Sequence, residues 1–267
     1  MTDTAMSSPV RDAECSRAPA RLVLLGGFSL LLDGQEVLLP TNAQRVLAGL
    51  GVGRRTHLSQ PRLVFAERLW SESLMERAQA NLRTALWRIR QADPGLISTA
   101  HDRLQLGSSV RVDVHESLAQ AKRLLSESDE PLAAGDSQVE PLVQDLLPGW
   151  DDDWLLLERE RVRQIHLHAL EALSTRLRVS GRFGRAIEAA LAAVAAEPLR
   201  ESAHNALMAA HLGEGNIAEA HRQYRRYERI LWDELRLSPL HTFDQLRMLY
   251  GAVSSTAPRS GAIPRPG

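Results

Sequence analysis

Three short apolar runs, Leu22–Leu25, Ser29–Leu32 and Glu36–Leu39, follow a polar, proline-bearing leader, and Asp33-Gly34 separates the second from the third. Asp-Gly tolerates positive φ at both positions, so this pair predicts a two-residue hairpin and a small antiparallel sheet. The period then lengthens from two to between three and four. It predicts a short helix from Asn42 to about Leu50. After a Gly/Arg-rich stretch (Gly51–Thr56) it predicts a second helix, with Ser59 as N-cap and Pro61 in the first turn, running to Trp70. A third helix is predicted from near Leu74 to Asp93, where Pro94-Gly95 stops it. Ile97–Thr99 and Arg103–Leu106 read as two strands around a turn at Ala100-His101-Asp102. From Asp113 the pattern is helical throughout, apart from a Ser-, Asp- and Gly-rich loop between Ser126 and Glu140.

The third helix is the most informative element. At 100° per residue, Ala78, Leu82, Ala85, Leu86 and Ile89 fall on one stripe and predict its buried side. The opposite side presents Ala80, Arg83, Thr84, Trp87 and Gln91, flanked by Arg88 and Arg90, with Arg77 near the helix start. This chemistry suits a DNA major groove. Arg bonds guanine O6 and N7, Thr and Gln reach base edges or phosphates, and a small Ala allows close approach. Arg77 is placed to reach a phosphate. A solvated helix face explains the arginines equally well, but not an outward Trp87, since a large aromatic facing water usually has a partner. Two helices before and a hairpin after are the order of a winged helix-turn-helix. Arg103 then lies beside the wing tip, within reach of a minor groove or phosphate, or is simply a turn arginine.

The second half contains an internal echo. Gly181-Arg-Phe-Gly-Arg-Ala-Ile-Glu188 recurs as Gly215-Asn-Ile-Ala-Glu-Ala-His-Arg222, an offset of 34, which is the tetratricopeptide period. Leu173 and Leu207 match at the same offset. The pattern predicts stacked helical hairpins with a face suited to peptide or protein.

Charge divides the chain in the same place. Arg21–Val112 carries 12 Arg against 7 Asp and Glu, whereas Asp113–Val253 has a net charge of −7. A basic front half and an acidic back half point to two domains with different partners. Lys122 is the only lysine, so positive charge is almost wholly guanidinium, which grips phosphate with a planar fork. With Cys15 alone no intramolecular disulfide is possible, and a reducing cytoplasm fits. The apolar run from Leu22 is broken by Gly26-Gly27 and is too short to span a bilayer, so neither a secretory signal nor a membrane anchor is expected.

Several candidate sites lack the pattern their chemistry needs. Gly49-Leu-Gly-Val-Gly53 follows a helix rather than a strand and misses the third spaced glycine of a dinucleotide loop. His166 and His168 point to different faces of a helix, and His204, His211 and His221 lie on separate turns, so structural or surface roles are expected. Asp151-Asp152-Asp153 is read as a cap for a helix beginning at Trp154. Trp150, Trp154 and Trp232 are expected in the core. With no nucleophile elbow or other catalytic constellation, no enzyme, cofactor or metal is expected.

The ordered set of motifs resembles the Streptomyces antibiotic regulatory protein (SARP) family. In the first half the resemblance rests on Leu24-Leu-Gly-Gly-Phe-Ser-Leu30, Arg68-Leu-Trp70 and Asn81-Leu-Arg-Thr-Ala-Leu-Trp-Arg-Ile-Arg90. In the second it rests on Asp145-Leu-Leu-Pro-Gly-Trp150, Asp153-Trp154, Leu157-Glu-Arg-Glu-Arg161, Glu197-Pro-Leu-Arg-Glu201 and Asp233-Glu-Leu-Arg-Leu-Ser-Pro239. The resemblance implies an OmpR-like winged helix joined to a bacterial transcriptional activation domain. It further implies dimers on short direct repeats upstream of promoters, RNA polymerase as a partner, and genes of secondary metabolism such as antibiotic biosynthesis. Two departures stand out. His101-Asp102-Arg103 replaces the usual Gly-Gly-aromatic wing tip, and Gly49, Gly51 and Gly53 predict a shortened or frayed first helix. Larger members carry an ATPase domain after the activation domain, and this chain resembles the small type.

The expected architecture is therefore mainly α: a disordered leader (1–20), a winged helix-turn-helix (21–112), an all-helical TPR-like domain (113–253) and a disordered tail (254–267). The expected function is a cytoplasmic DNA-binding activator. The competing expectation is a TPR-type scaffold whose winged helix no longer binds DNA.

Overall fold

The computed structural model describes residues 19–53, 59–126, 132 and 134–251. The expected disordered tail lies outside them, as do all but the last two residues of the leader, the stretch from 54 to 56, and residues 127–131 and 133 of the acidic loop. Two compact units emerge. The first contains the residues up to Leu22 and Ser29–Arg111, and the second contains Val23–Phe28 and the residues from Val112 onward.

In the first unit, strands β1 (Arg21–Val23), β2 (Ser29–Leu32) and β3 (Gln35–Glu36) join β7 (Arg111–Val112) in a sheet of order β3-β2-β1-β7. Leu31 pairs with Glu36 and Leu32 with Gln35 around the predicted turn, where Asp33 and Gly34 adopt φ of 51° and 80°. Ala20, assigned above to the leader, is already buried, and its carbonyl accepts from Arg111 N at 2.8 Å.

Helix α1 spans Thr41–Val52, longer than its three glycines predict. The helix continues because Gly49 and Gly51 are buried within it, and Gly49 lies against the next helix. A Cβ on Gly49 would fall 2.8 Å from Leu69 Cδ2 and 3.2 Å from Phe65 Cζ. Here glycine buys close helix packing rather than a break.

Ser59 is not a helix cap. Gln60–Pro61 forms the short strand β4, and helix α2 (Arg62–Leu69) starts two residues later than expected. The reason is a third strand in the wing sheet. β4 pairs with β6 (Arg103–Leu106), which pairs with β5 (Ile97–Ala100), and Gln60 stands opposite Leu104. Helix α3 covers Met75–Ala92, and its buried residues are the five predicted ones.

The second unit is helical: α4 (Asp113–Leu125), α5 (Glu140–Val143), α6 (Asp153–Val179), α7 (Phe183–Ala196), α8 (Glu201–Glu214), α9 (Ile217–Leu235) and α10 (Phe243–Gly251). The 34-residue echo is two helical hairpins, α6–α7 and α8–α9. Gly181 and Gly215 hold the left-handed turns at φ of 73° and 86°. Ala186 and Ala220 are fully buried at the equivalent point of the following helices, and Leu173 and Leu207 are buried one helix earlier. Small residues at these points let paired helices approach closely. α10 packs on α8 through Met208, Leu212, Leu246 and the ring of Phe243.

The segment Val23–Phe28 is bonded into this unit. Asp113 accepts from the amides of Leu24 and Leu25 at 2.9 Å each, while Gly26 N donates to Asp145 O and Leu147 N donates to Leu24 O, both at 2.8 Å. Arg159 closes the neighbouring loop, donating to the carbonyls of Leu146, Leu147 and Trp150 at 2.8–3.0 Å. Of the tryptophans expected in the core, Trp150 and Trp154 are half-buried and Trp232 is exposed. Trp232 projects from the side of α9 that faces away from Ala220, Tyr227 and Leu231, so the fold gives it no cover. Among the described residues no helix is long and apolar enough to cross a membrane.

Candidate nucleic-acid interface

The position of α3 is set by its apolar stripe. Ala78, Leu82, Ala85, Leu86 and Ile89 pack toward α1 and α2, which leaves the opposite side free. α2 ends at Trp70, and a tight turn closed by Ser73 N on Trp70 O (3.0 Å) leads into α3, giving the helix-turn-helix. Ala80, Thr84, Trp87 and Gln91 lie at the centre of the outward face, with Arg83 on one flank and Arg77 and Arg88 on the other. All are exposed except the half-buried Ala80. Trp87 is 52% exposed, and the Arg88 guanidinium sits 4.7 Å from its ring centroid, a cation–π pair open to solvent. Thr84 Oγ1 donates back to Ala80 O at 3.1 Å, which leaves its lone pairs facing outward.

Two expected contact residues are otherwise engaged. Arg90 Nη2 donates to Thr99 Oγ1 at 3.1 Å, tying the end of α3 to β5. Arg103 does not extend from the wing tip. Its Nε donates to Ser59 Oγ at 2.7 Å and its Nη2 to Ser59 O, so its fork holds the approach to β4 against the wing. The wing turn itself is His101-Asp102, with His101 at φ 53°.

The structure adds Arg62, which sequence reasoning passed over. With Leu63, Gln79, Leu82, Arg83 and Asp102 it lines an open pocket between the start of α2, α3 and the wing. Its signal was present: Pro61 fixes the backbone just before a helix start, and Arg62 is the first helical residue.

In the helical unit the motif residues form internal bonds. Arg163 bonds Glu160 and Glu197; Arg200 donates to Glu171 at 2.6 Å; Glu201 accepts from Leu240 N at 2.9 Å. The buried histidines are structural. Ser117 Oγ donates to Val114 O and therefore accepts from His166 Nε2 at 3.0 Å; burial pushes His166 down to about 4. His204 bonds Pro198 O and Gln223 and stacks on Tyr227 at 4.1 Å, and burial lowers its pKa as well.

Residues 141–249 match the family model described as the bacterial transcriptional activator domain. The chain is 30% identical over 241 residues to the regulatory protein AfsR of Streptomyces coelicolor, which covers 85% of this chain and 24% of that relative. It therefore spans about a quarter of the relative's length. A structure of Mycobacterium tuberculosis EmbR, in complex with a low affinity phosphopeptide, superposes with a TM-score of 0.63 at 20% identity, covering 86% of this chain and 65% of that one. That likeness shows the fold, a winged helix followed by a helical domain. Fold and domain together show a winged helix followed by a bacterial transcriptional activator domain. The resemblance to the SARP family read from the motifs is matched by this domain and by the similarity to AfsR.

Proposed function

We propose that this chain is a cytoplasmic, sequence-specific DNA-binding activator that acts by binding rather than by catalysis. The observation that carries the reading is the outward face of α3, where Trp87 lies exposed between Arg83 and Arg88. A polar, arginine-flanked helix face of this kind reads base edges in the major groove, with guanidinium on guanine and the threonine and glutamine on neighbouring edges. Arg77 and Arg62 serve the backbone, fixing register rather than sequence. Arg90 and Arg103, both internally bonded, act mainly by holding the wing in place. Two copies bind direct repeats upstream of promoters, and the helical unit recruits RNA polymerase, with genes of secondary metabolism as the targets.

Selection of fragmented genomic DNA by the purified protein, repeated across a salt series, tests this. Enrichment of short direct repeats with affinity falling steeply with salt is the expected result. A specific observation favours the scaffold alternative: the wing presents Asp102, and Arg103 is turned onto Ser59. That reading predicts no enriched DNA and no salt-dependent binding, with a protein partner on the helical unit instead.

A further inference from the structure

The backbone fixes Asp102 in place. Its carbonyl accepts from Arg62 N at 2.9 Å, and Pro61 stands opposite Arg103 in the β4–β6 pairing, so the wing turn is locked to the first residue of α2. Arg103, turned onto Ser59, braces the same junction. Asp102 therefore lines the wing side of the open pocket, with Arg62 and Leu63 from α2, Gln79 and Arg83 from α3, and the buried Leu82 at its base. The pocket holds about 190 Å³. Arg62 is half-buried, Arg83 and Asp102 are exposed, and none of the three makes an ion pair among the described residues.

Two guanidiniums and a carboxamide around one open pocket suit a phosphate of the DNA backbone. A carboxylate in the same pocket opposes that use: it offsets one of the two positive charges and repels any phosphate that enters. The fold itself does not require an acid here. The bond to Arg62 N is made by the Asp102 carbonyl, which every residue carries, and the carboxylate accepts no hydrogen bond among the described residues. Arg21–Val112 carries 12 Arg against 7 Asp and Glu, so a carboxylate placed among the interface arginines acts against the charge of its own unit.

We propose that Asp102 sets the affinity of this chain for DNA: its carboxylate stands where it opposes a backbone phosphate beside Arg62 and Arg83, and it weakens binding by the same factor on every sequence. Phosphate contacts are blind to sequence, so the repulsion falls alike on matching and non-matching DNA. Arg62 then adds little net attraction of its own. At a given protein concentration, the sites that remain occupied are those where base contacts from the α3 face make up the difference. The proposal deepens the DNA-binding reading above and rests on it.

Fluorescence anisotropy of the full chain on two duplexes of equal length tests this, one recovered by the genomic selection and one of random sequence, each across a salt series. Asp102→Asn keeps the side-chain shape and the backbone bond. It is expected to raise affinity for both duplexes by the same factor, roughly three- to tenfold at low salt, and to steepen the salt slope by up to about one. Glu36→Gln removes one charge from the other sheet of the same unit and is expected to leave affinity and slope near the parent's. Beside Arg62→Gln, the gain from Asp102→Asn is expected to shrink, because the phosphate contact it opposes is gone. Unchanged affinity and slope in Asp102→Asn, an equal gain in Glu36→Gln, or a gain undiminished beside Arg62→Gln overturns the proposal. A loss confined to the recovered duplex makes Asp102 a base reader that accepts from an amino group, and overturns it too. Each of these failures leaves the DNA-binding reading standing, whereas a parent that binds neither duplex at low salt removes that reading and the proposal with it.

Discussion

Gly49 of α1 lies so close to Leu69 of α2 that a Cβ at position 49 would sit 2.8 Å from Leu69 Cδ2. Both residues are buried, so neither helix has room to yield. Gly49→Ala is therefore expected to destabilise the first unit by about 1 kcal/mol, the overpacking cost exceeding the gain in helix propensity. A lower midpoint in urea checks it; a raised midpoint would mean that propensity wins.

Arg83→Ala and Arg88→Ala are expected to weaken DNA binding while leaving the circular dichroism spectrum unchanged. If either guanidinium reads a base, specificity relaxes at one position; if it meets a phosphate, the salt slope falls by about one. Unchanged affinity in both variants, with the fold intact, would remove the outward face of α3 as the reader.

Arg159 bonds three carbonyls of the loop from Leu146 to Trp150, and no other side chain fits that fork. Arg159→Ala is expected to cost about 3 kcal/mol, since hydrogen bonds from a charged donor are among the stronger ones. Arg159→Lys should recover less than half, because an ammonium on a flexible stem cannot reproduce the planar geometry. Urea unfolding of the three proteins measures both differences.

His166 provides a pH dependence of stability. Burial lowers its pKa to about 4 in the folded chain, below the 6.5 of an exposed histidine, so folding favours the neutral ring. That contribution is complete above about pH 6.5 and declines as pH falls toward 4, by roughly 3 kcal/mol in all. His166→Asn keeps a donor for Ser117 without a titrating ring. It is expected to flatten the stability profile between pH 6.5 and 4, measured by thermal unfolding; an unchanged profile would assign the acid sensitivity elsewhere.

Much of the fold was legible in local spacing. The five buried residues of α3 follow from a period near 3.6, the hairpin at Asp33-Gly34 from two residues that accept positive φ, and the two helical pairs from a 34-residue offset. The exposed outward face of α3 was legible for the same reason: once one side of an amphipathic helix is buried, the other faces water.

The places where pattern and structure part share one cause. Periodicity reports neighbours within a turn or two, whereas a packing partner or hydrogen-bond acceptor is chosen across the fold. Gly49 reads as a helix breaker until Leu69 closes on it, Ser59 as a cap until Arg103 takes its oxygens, and Trp232 as core until α9 turns it outward. The sequence by itself determined most of the helices and strands, though not β4, and which side of α3 faces out. Tertiary structure alone decided that Val23–Phe28 joins the helical unit, through the carboxylate of Asp113 on the amides of Leu24 and Leu25. Residues so far apart along the chain meet only once the whole chain has folded.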